Sequence, residues 1–190
     1  DYADLAAVVD DAEDGDLGLQ EAYLRYAVFP LAITIGRFAT PLGYEVLEPW
    51  NNAHITRSRA WTQFIRAPSL DGLSLDAYLG DFDFKVGVVN SQEPLDFVAN
   101  DLNDEKSVLA YAARAWGDVA VSVSGLYGEE RYALGPTTSR RVDRLLLNSV
   151  VSGKIGKVHL VLEGNFADES NQSGAGSSDN HDQSWNTTFY

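Results

Sequence analysis

Cysteine and methionine are both absent from this chain of 190 residues. The first absence excludes structural disulfides, thiolate metal sites and cysteine nucleophiles together. No uncharged apolar run approaches the roughly 20 residues that a membrane helix needs, which excludes a helical membrane protein and leaves a barrel open. Basic side chains are scarce, with 14 Lys and Arg against 28 Asp and Glu, a formal charge of −14. Such an excess of carboxylate repels nucleic acid phosphates and anionic lipid headgroups, so cations or a salty medium suit the chain better. The sequence begins at Asp1, with neither an initiator Met nor the charged-then-apolar pattern of a signal peptide.

What is present is apolar and periodic. Hydrophobic residues make up 45% of the chain, too many for a disordered acidic tail. By length alone this is one domain with an ample core. The dominant signal is alternation of period two, the mark of strands with one face in an apolar medium. Leu73, Leu75, Ala77 and Leu79 alternate with Ser74, Asp76 and Tyr78; Phe82, Phe84, Val86 and Val88 with Asp83, Lys85 and Gly87. Val119, Val121 and Val123 alternate with Ala120, Ser122 and Ser124; Val158, Leu160 and Leu162 with His159, Val161 and Glu163.

Weaker versions set Leu24, Tyr26 and Val28 against Glu21, Tyr23 and Arg25; Leu31, Ile33 and Ile35 against Ala32, Thr34 and Gly36; and Leu109, Tyr111 and Ala113 against Ala110, Ala112 and Arg114. Val142 to Val151 is a further strand, and Ser184 to Tyr190 begins another. The count is about nine. Short turns at Phe29-Pro30, Gly80-Asp81, Gly117-Asp118 and Gly153 to Gly156 alternate with long polar connections at Ala39 to Asp71, Ser91 to Lys106, Glu129 to Arg140 and Asp168 to Gln183.

One short-turn rim and one long-loop rim describe an all-β, antiparallel up-and-down sheet, the plan of an outer-membrane β-barrel. Tyr26, Phe29, Phe82, Trp116, Tyr127 and Phe166 near strand ends fit aromatic girdles. A soluble β-sandwich or lipocalin-like barrel also alternates, but the charges here sit on the face that would line a wet lumen. Parity requires an even number of crossings within residues 39–71. With none, that segment is a long loop that narrows the lumen; with two, His54 to Arg66 supplies an extra strand.

The same segment carries a family likeness. Gly36-Arg37-Phe38-Ala39-Thr40-Pro41-Leu42-Gly43-Tyr44-Glu45, followed by Asn51-Asn52 and Thr56-Arg57-Ser58-Arg59, resembles the signature of the OmpL-like outer-membrane β-barrel porins. Phosphate-selective porins carry a looser version, and Arg59 stands where the family's serine-arginine-serine usually ends in serine. The likeness runs from about Leu17 to Phe166. It implies a channel in the bacterial outer membrane, in contact with membrane lipids and lipopolysaccharide and passing ions and small hydrophilic solutes. Family members have longer chains with more strands, so residues 1–190 are expected to be an incomplete portion of a larger barrel. A homo-oligomer is compatible with this architecture.

Candidate site residues follow from the alternation. Glu21, Arg25, Asp76, Asp83, Lys85, Arg114 and Glu163 are expected on the lumen wall, with Arg144 beside them, and their charges nearly cancel. Glu45 and Glu48 facing Arg57, Arg59 and Arg66 form the expected constriction, where opposed charges set a transverse field. Acidic clusters are assigned to external loops: Asp10, Asp11, Glu13, Asp14 and Asp16; Asp96, Asp101, Asp104 and Glu105; Asp168, Glu169, Asp179 and Asp182. An EF-hand-like spacing from Asp10 to Glu21 has Ala12 at its third place and no flanking helices, so it is not a calcium loop.

No cofactor, metal site or enzyme activity is expected, because His54, His159 and His181 fall in different elements without a nucleophile or ligand spacing. Three function classes stand: a passive diffusion channel, an outer-membrane barrel with a structural or partner-binding role, and a soluble β-rich ligand-binding module.

Overall fold

The computed structural model describes residues 2–11, 17–46, 52, 69–90, 106–135, 138–172 and 181–189. Ten strands run β1 (Tyr2–Asp11), β2 (Leu17–Val28), β3 (Leu31–Ala39), β4 (Ser69–Leu79), β5 (Phe82–Val89), β6 (Ser107–Trp116), β7 (Val119–Gly135), β8 (Thr138–Ile155), β9 (Val158–Gln172) and β10 (His181–Phe189). They form one sheet in sequence order, every neighbouring pair antiparallel. This is the expected all-β up-and-down architecture. At three of the short turns Gly80, Gly117 and Gly156 take φ of 64°, 57° and 62°, the left-handed conformation that tight hairpins demand.

The sheet is apolar on the outside. Ile33, Val86 and Leu160 are 46%, 53% and 51% exposed, whereas their inward neighbours Thr34 and Val161 are 4% and 3% exposed. Charged and polar side chains fill the other face: Asp76, Arg144, Asn148, Glu163 and Asn165 are all buried. A soluble barrel has the opposite distribution, so the outer face is built for lipid. Tyr26, Phe29, Phe82, Trp116 and Tyr127 stand exposed on it.

The sheet also curls. β3 and β9 are six strands apart in the sheet order, about 29 Å across a flat sheet at roughly 4.8 Å per strand. Yet Tyr44, five residues past the end of β3, meets His159 of β9 with ring centroids 6.3 Å apart. Five extended residues reach only about 17 Å, and His159 sits at the turn end of β9 whereas β3 ends at the long-loop rim, so a flat sheet would separate the two by a strand length as well; the sheet must bend round to bring them together. Gly36 and Gly72 are register partners where neighbouring backbones approach closely. Gly36 has φ 122°, and a Cβ there would lie 2.3 Å from the Ala22 carbonyl oxygen; one on Gly72 would lie 2.3 Å from that of Val88.

Several expectations change. β1 is an additional strand, missed because Leu5-Ala6-Ala7-Val8-Val9 has no polar alternate, and Asp10 and Asp11 end it instead of lying in a loop. Glu129 to Arg140 is mainly strand: β7 and β8 continue past the rest of the sheet, pairing Glu129 with Asp143 and Arg131 with Arg141. Strands that project into water lose the apolar alternate and so read as loop. For the same reason Asp168 and Glu169 belong to β9 and Asp182 to β10. Gly153 lies within β8, and the turn is at Gly156-Lys157. β3 bonds directly to β4, Ala39 opposite Ser69, so among the described residues no strand lies between them in the sheet. His54 to Arg66 is outside the described residues, as are Glu13, Asp14, Asp16, Asp96, Asp101, Asp104, Glu105 and Asp179.

Candidate functional site

The enclosed face of the sheet is organised in two layers. Toward the long-loop rim is an apolar collar with one residue from each of seven strands: Phe38, Leu70, Val89, Leu109, Leu126, Leu146 and Ala167. Phe38 pairs across to Leu70, and Leu109, Leu126, Leu146 and Ala167 are successive register partners. Leu42, from the loop that follows β3, inserts among them and is 3% exposed. Burying a leucine to this degree contributes about 1.5–3 kcal/mol. Glu21 fixes the point of departure, its Oε1 accepting the Ala39 N–H at 2.6 Å.

Beyond the collar the interior is polar. On one wall Asp76, its side chain 4% exposed, lies 3.0 Å from Arg25 and 3.4 Å from Lys85. Arg25 also donates to the Tyr78 hydroxyl, and the Lys85 ammonium stands 5.6 Å from the centre of the Phe38 ring. On the facing wall the Asn148 amide donates to Glu163 at 2.7 Å and to Asn165 at 2.8 Å, while the Ser124 hydroxyl donates to Asn148 at 3.4 Å. On the rim side of the collar, Arg144, 1% exposed, pairs with Glu169 at 3.1 Å.

Residues 40–46 cross this interior. Thr40, Pro41, Tyr44 and Glu45 face Tyr111 and Ala113 of β6, Ala120 and Ser122 of β7 and Val150 and Ser152 of β8 over a cavity of about 310 Å³. A space of this size has room for several water molecules. Asn52 closes the segment, accepting from the Val46 N–H at 2.7 Å and donating to the Val46 carbonyl at 3.0 Å. Residues 40–46 therefore lie across the enclosed face of the sheet, over a wet space.

A family model described as putative beta-barrel porin-2, OmpL-like, matches residues 2–190. The chain belongs to this porin family. No curated protein and no solved structure matches it.

In this porin-family chain Glu21, Arg25, Asp76, Asp83, Lys85, Arg144 and Glu163 all lie on the inward register. Glu45 is 4% exposed and lines the cavity. Glu48, Arg57, Arg59 and Arg66 lie outside the described residues. Arg114 is placed differently from the expectation. Its guanidinium packs 4.5 Å from the Phe82 ring and 4.8 Å from Trp116 on the outer face, with Asp81 of the turn at 3.7 Å. The cause is a reversed register in β6: Leu109 turns inward to the collar, so Val108, Ala110, Ala112 and Arg114 face out. Sequence reasoning assigned apolar residues to lipid and missed the collar, Leu42 and the asparagine network. The run of buried leucines was visible, but nothing in it distinguished an apolar interior belt from an apolar coat.

Proposed function

We propose that the chain forms a passive diffusion channel for ions and small hydrophilic solutes across the bacterial outer membrane, with residues 40–46 as its narrowing element. The observation that carries this reading is the inside-out distribution of polarity around an interior crossed by a loop. Porin family membership points the same way, toward a channel and away from an enzyme. Among the described residues β1 and β10 each have one strand neighbour, and an open edge cannot face lipid. Further strands therefore complete the barrel in this reading.

With Arg114 outside, the expected charge balance of the wall is lost. The buried and half-buried inward side chains are Glu21, Glu45, Asp76, Glu163 and Glu169 against Arg25, Lys85 and Arg144. Asp83 and Lys154, both exposed near the turn rim, offset each other. A wall with excess carboxylate favours cations, subject to the contribution of Arg57, Arg59 and Arg66 from the same loop. Planar-bilayer recording of the complete protein tests both parts. Discrete conductance steps with a cation-selective reversal potential are expected. Absence of steps above background supports the structural or partner-binding role instead, which the tight seating of Leu42 favours. A chain that stays monodisperse in plain buffer, without detergent, would return the soluble module.

A further inference from the structure

The wall that faces residues 40–46 changes character along its length. Toward the collar its polar groups satisfy one another, Asn148 donating to both Glu163 and Asn165 and accepting from Ser124. Nearer the turn rim Ser122 of β7 and Ser152 of β8 share the inward register as diagonal neighbours, since Ser122 pairs with Val150 and Ala120 with Ser152. Both are half-buried and line the cavity of about 310 Å³ together with half-buried Tyr111. Among the described residues none of these three hydroxyls makes a hydrogen bond within the protein. From the opposite side Tyr44 supplies a second ring, inclined at 63° to His159, and Thr40 a fourth hydroxyl. Glu45 is the one charged side chain among the described residues that line the space, and it is 4% exposed and already engaged within the protein.

Resting on the channel reading above, we propose that this cavity is a binding subsite for a neutral sugar ring on its way through the lumen. A half-buried hydroxyl with no protein partner takes its hydrogen bonds from whatever occupies the space, and a serine or tyrosine hydroxyl both donates and accepts. The hydroxyls of a sugar have the same double capacity, whereas an ammonium only donates and a carboxylate only accepts. Tyr44 and Tyr111, with Ala113, Ala120 and Val150 between the hydroxyls, add apolar surface for the C–H face of a pyranose, which an acyclic polyol does not present as one flat unit. The volume of about 310 Å³ stands at the lower end of the roughly 300–1,000 Å³ of small-molecule sites and has room for one or two rings. Charge agrees with size. The strong charges of the polar layer, Asp76 with Arg25 and Lys85, border a separate space of about 140 Å³ that shares only Tyr111 with this one among the described residues.

Ligand-observed saturation-transfer NMR of the complete protein in detergent, titrated with glucose, maltose, sorbitol and putrescine, tests this, and planar-bilayer conductance is recorded on the same preparation. Glucose or maltose is expected to bind saturably and to reduce the conductance at a matching half-saturating concentration, with sorbitol and putrescine at least about tenfold weaker. Ser122→Ala combined with Ser152→Ala is expected to raise the half-saturating sugar concentration about tenfold, the net loss of two hydrogen bonds. Neither hydroxyl bonds the protein, so the double variant folds, which heat-dependent gel mobility checks. Ser149→Ala, exposed on the outer face, leaves sugar affinity unchanged. Equal affinity in the wild type and the double serine variant, equal binding of sorbitol, or preference for putrescine overturns the proposal. Absence of saturable sugar binding overturns it as well: with conductance steps present the failure is the subsite's alone, and without them it is also the channel's. Sugar binding without steps keeps the subsite and removes the channel.

Discussion

Replacing Leu42 by alanine tests whether residues 40–46 are held inside the barrel by the collar. Leu42 is 3% exposed and packs among Phe38, Leu70 and their neighbours. Truncating a leucine buried this well costs about 2–5 kcal/mol. The strands keep their ladders without it, so the loss falls on the attachment of the loop. At the lower bound of about 2 kcal/mol the detached population rises by about thirtyfold, since 1.4 kcal/mol is a factor of ten. Glu21 still holds the Ala39 N–H, so the loop pivots from that point instead of leaving the rim. In planar bilayers the variant should show larger mean conductance and more open-channel noise than the wild type. Folded, heat-modifiable mobility on a gel establishes that the barrel itself is intact. Conductance and noise equal to wild type in an intact Leu42→Ala barrel would refute the latch.

Asp76→Asn should move the reversal potential in a salt gradient toward anions, because Arg25 and Lys85 lose their shared carboxylate. Its effect on stability should fall below the ~3–5 kcal/mol of a fully buried broken pair, since both cations remain about a fifth to a quarter exposed. Arg114→Ala should leave ion selectivity unchanged and lower the thermal transition slightly, by about 1 kcal/mol or less for its exposed contacts to Phe82 and Trp116; altered selectivity would place the side chain in the lumen. Gly36→Ala should fail to give the folded gel form, given a Cβ 2.3 Å from a carbonyl oxygen. Gly80→Ala, with no atom within 4 Å of the new Cβ, should fold and lose only ~1–2 kcal/mol for its left-handed backbone. Equal yields of the two glycine variants would contradict the close approach between the strands.

The fold was legible because lipid on one side and water on the other impose a single rule on every strand that crosses the membrane. Phe82, Val86, Leu160 and Leu162 obey it and are outward. The rule fails where the environment on a face changes. Above the membrane both faces are wet, so the ends of β7, β8 and β9 read as loops. Inside, where Leu42 descends, part of the lumen is apolar, so Leu109 reads as outward and takes Arg114 with it to the wrong side. The segment proposed to narrow the channel was legible through Gly36 to Glu45, whose glycine at φ 122° and buried Glu45 are local necessities of the close strand approach and the inward turn. The two walls of the polar layer were partly legible as charges, but the asparagine pair was not. Asn148 and Asn165 meet only because β8 and β9 align them, and spacing in one strand carries no information about register in the next.

Every extensive contact in the sheet joins strands that are consecutive in the chain. Among the described strands β2 to β9 each find both partners next to them in the chain, so this part of the wall can be laid down one hairpin at a time. The same order makes the hairpin a unit of change in ancestry. Duplicating or deleting one alters the circumference by about 10 Å, two strand spacings, while leaving the pairing of the remaining strands untouched. The bore can then be varied without redesign of the loop that Leu42 seats, provided the collar strands stay beside one another.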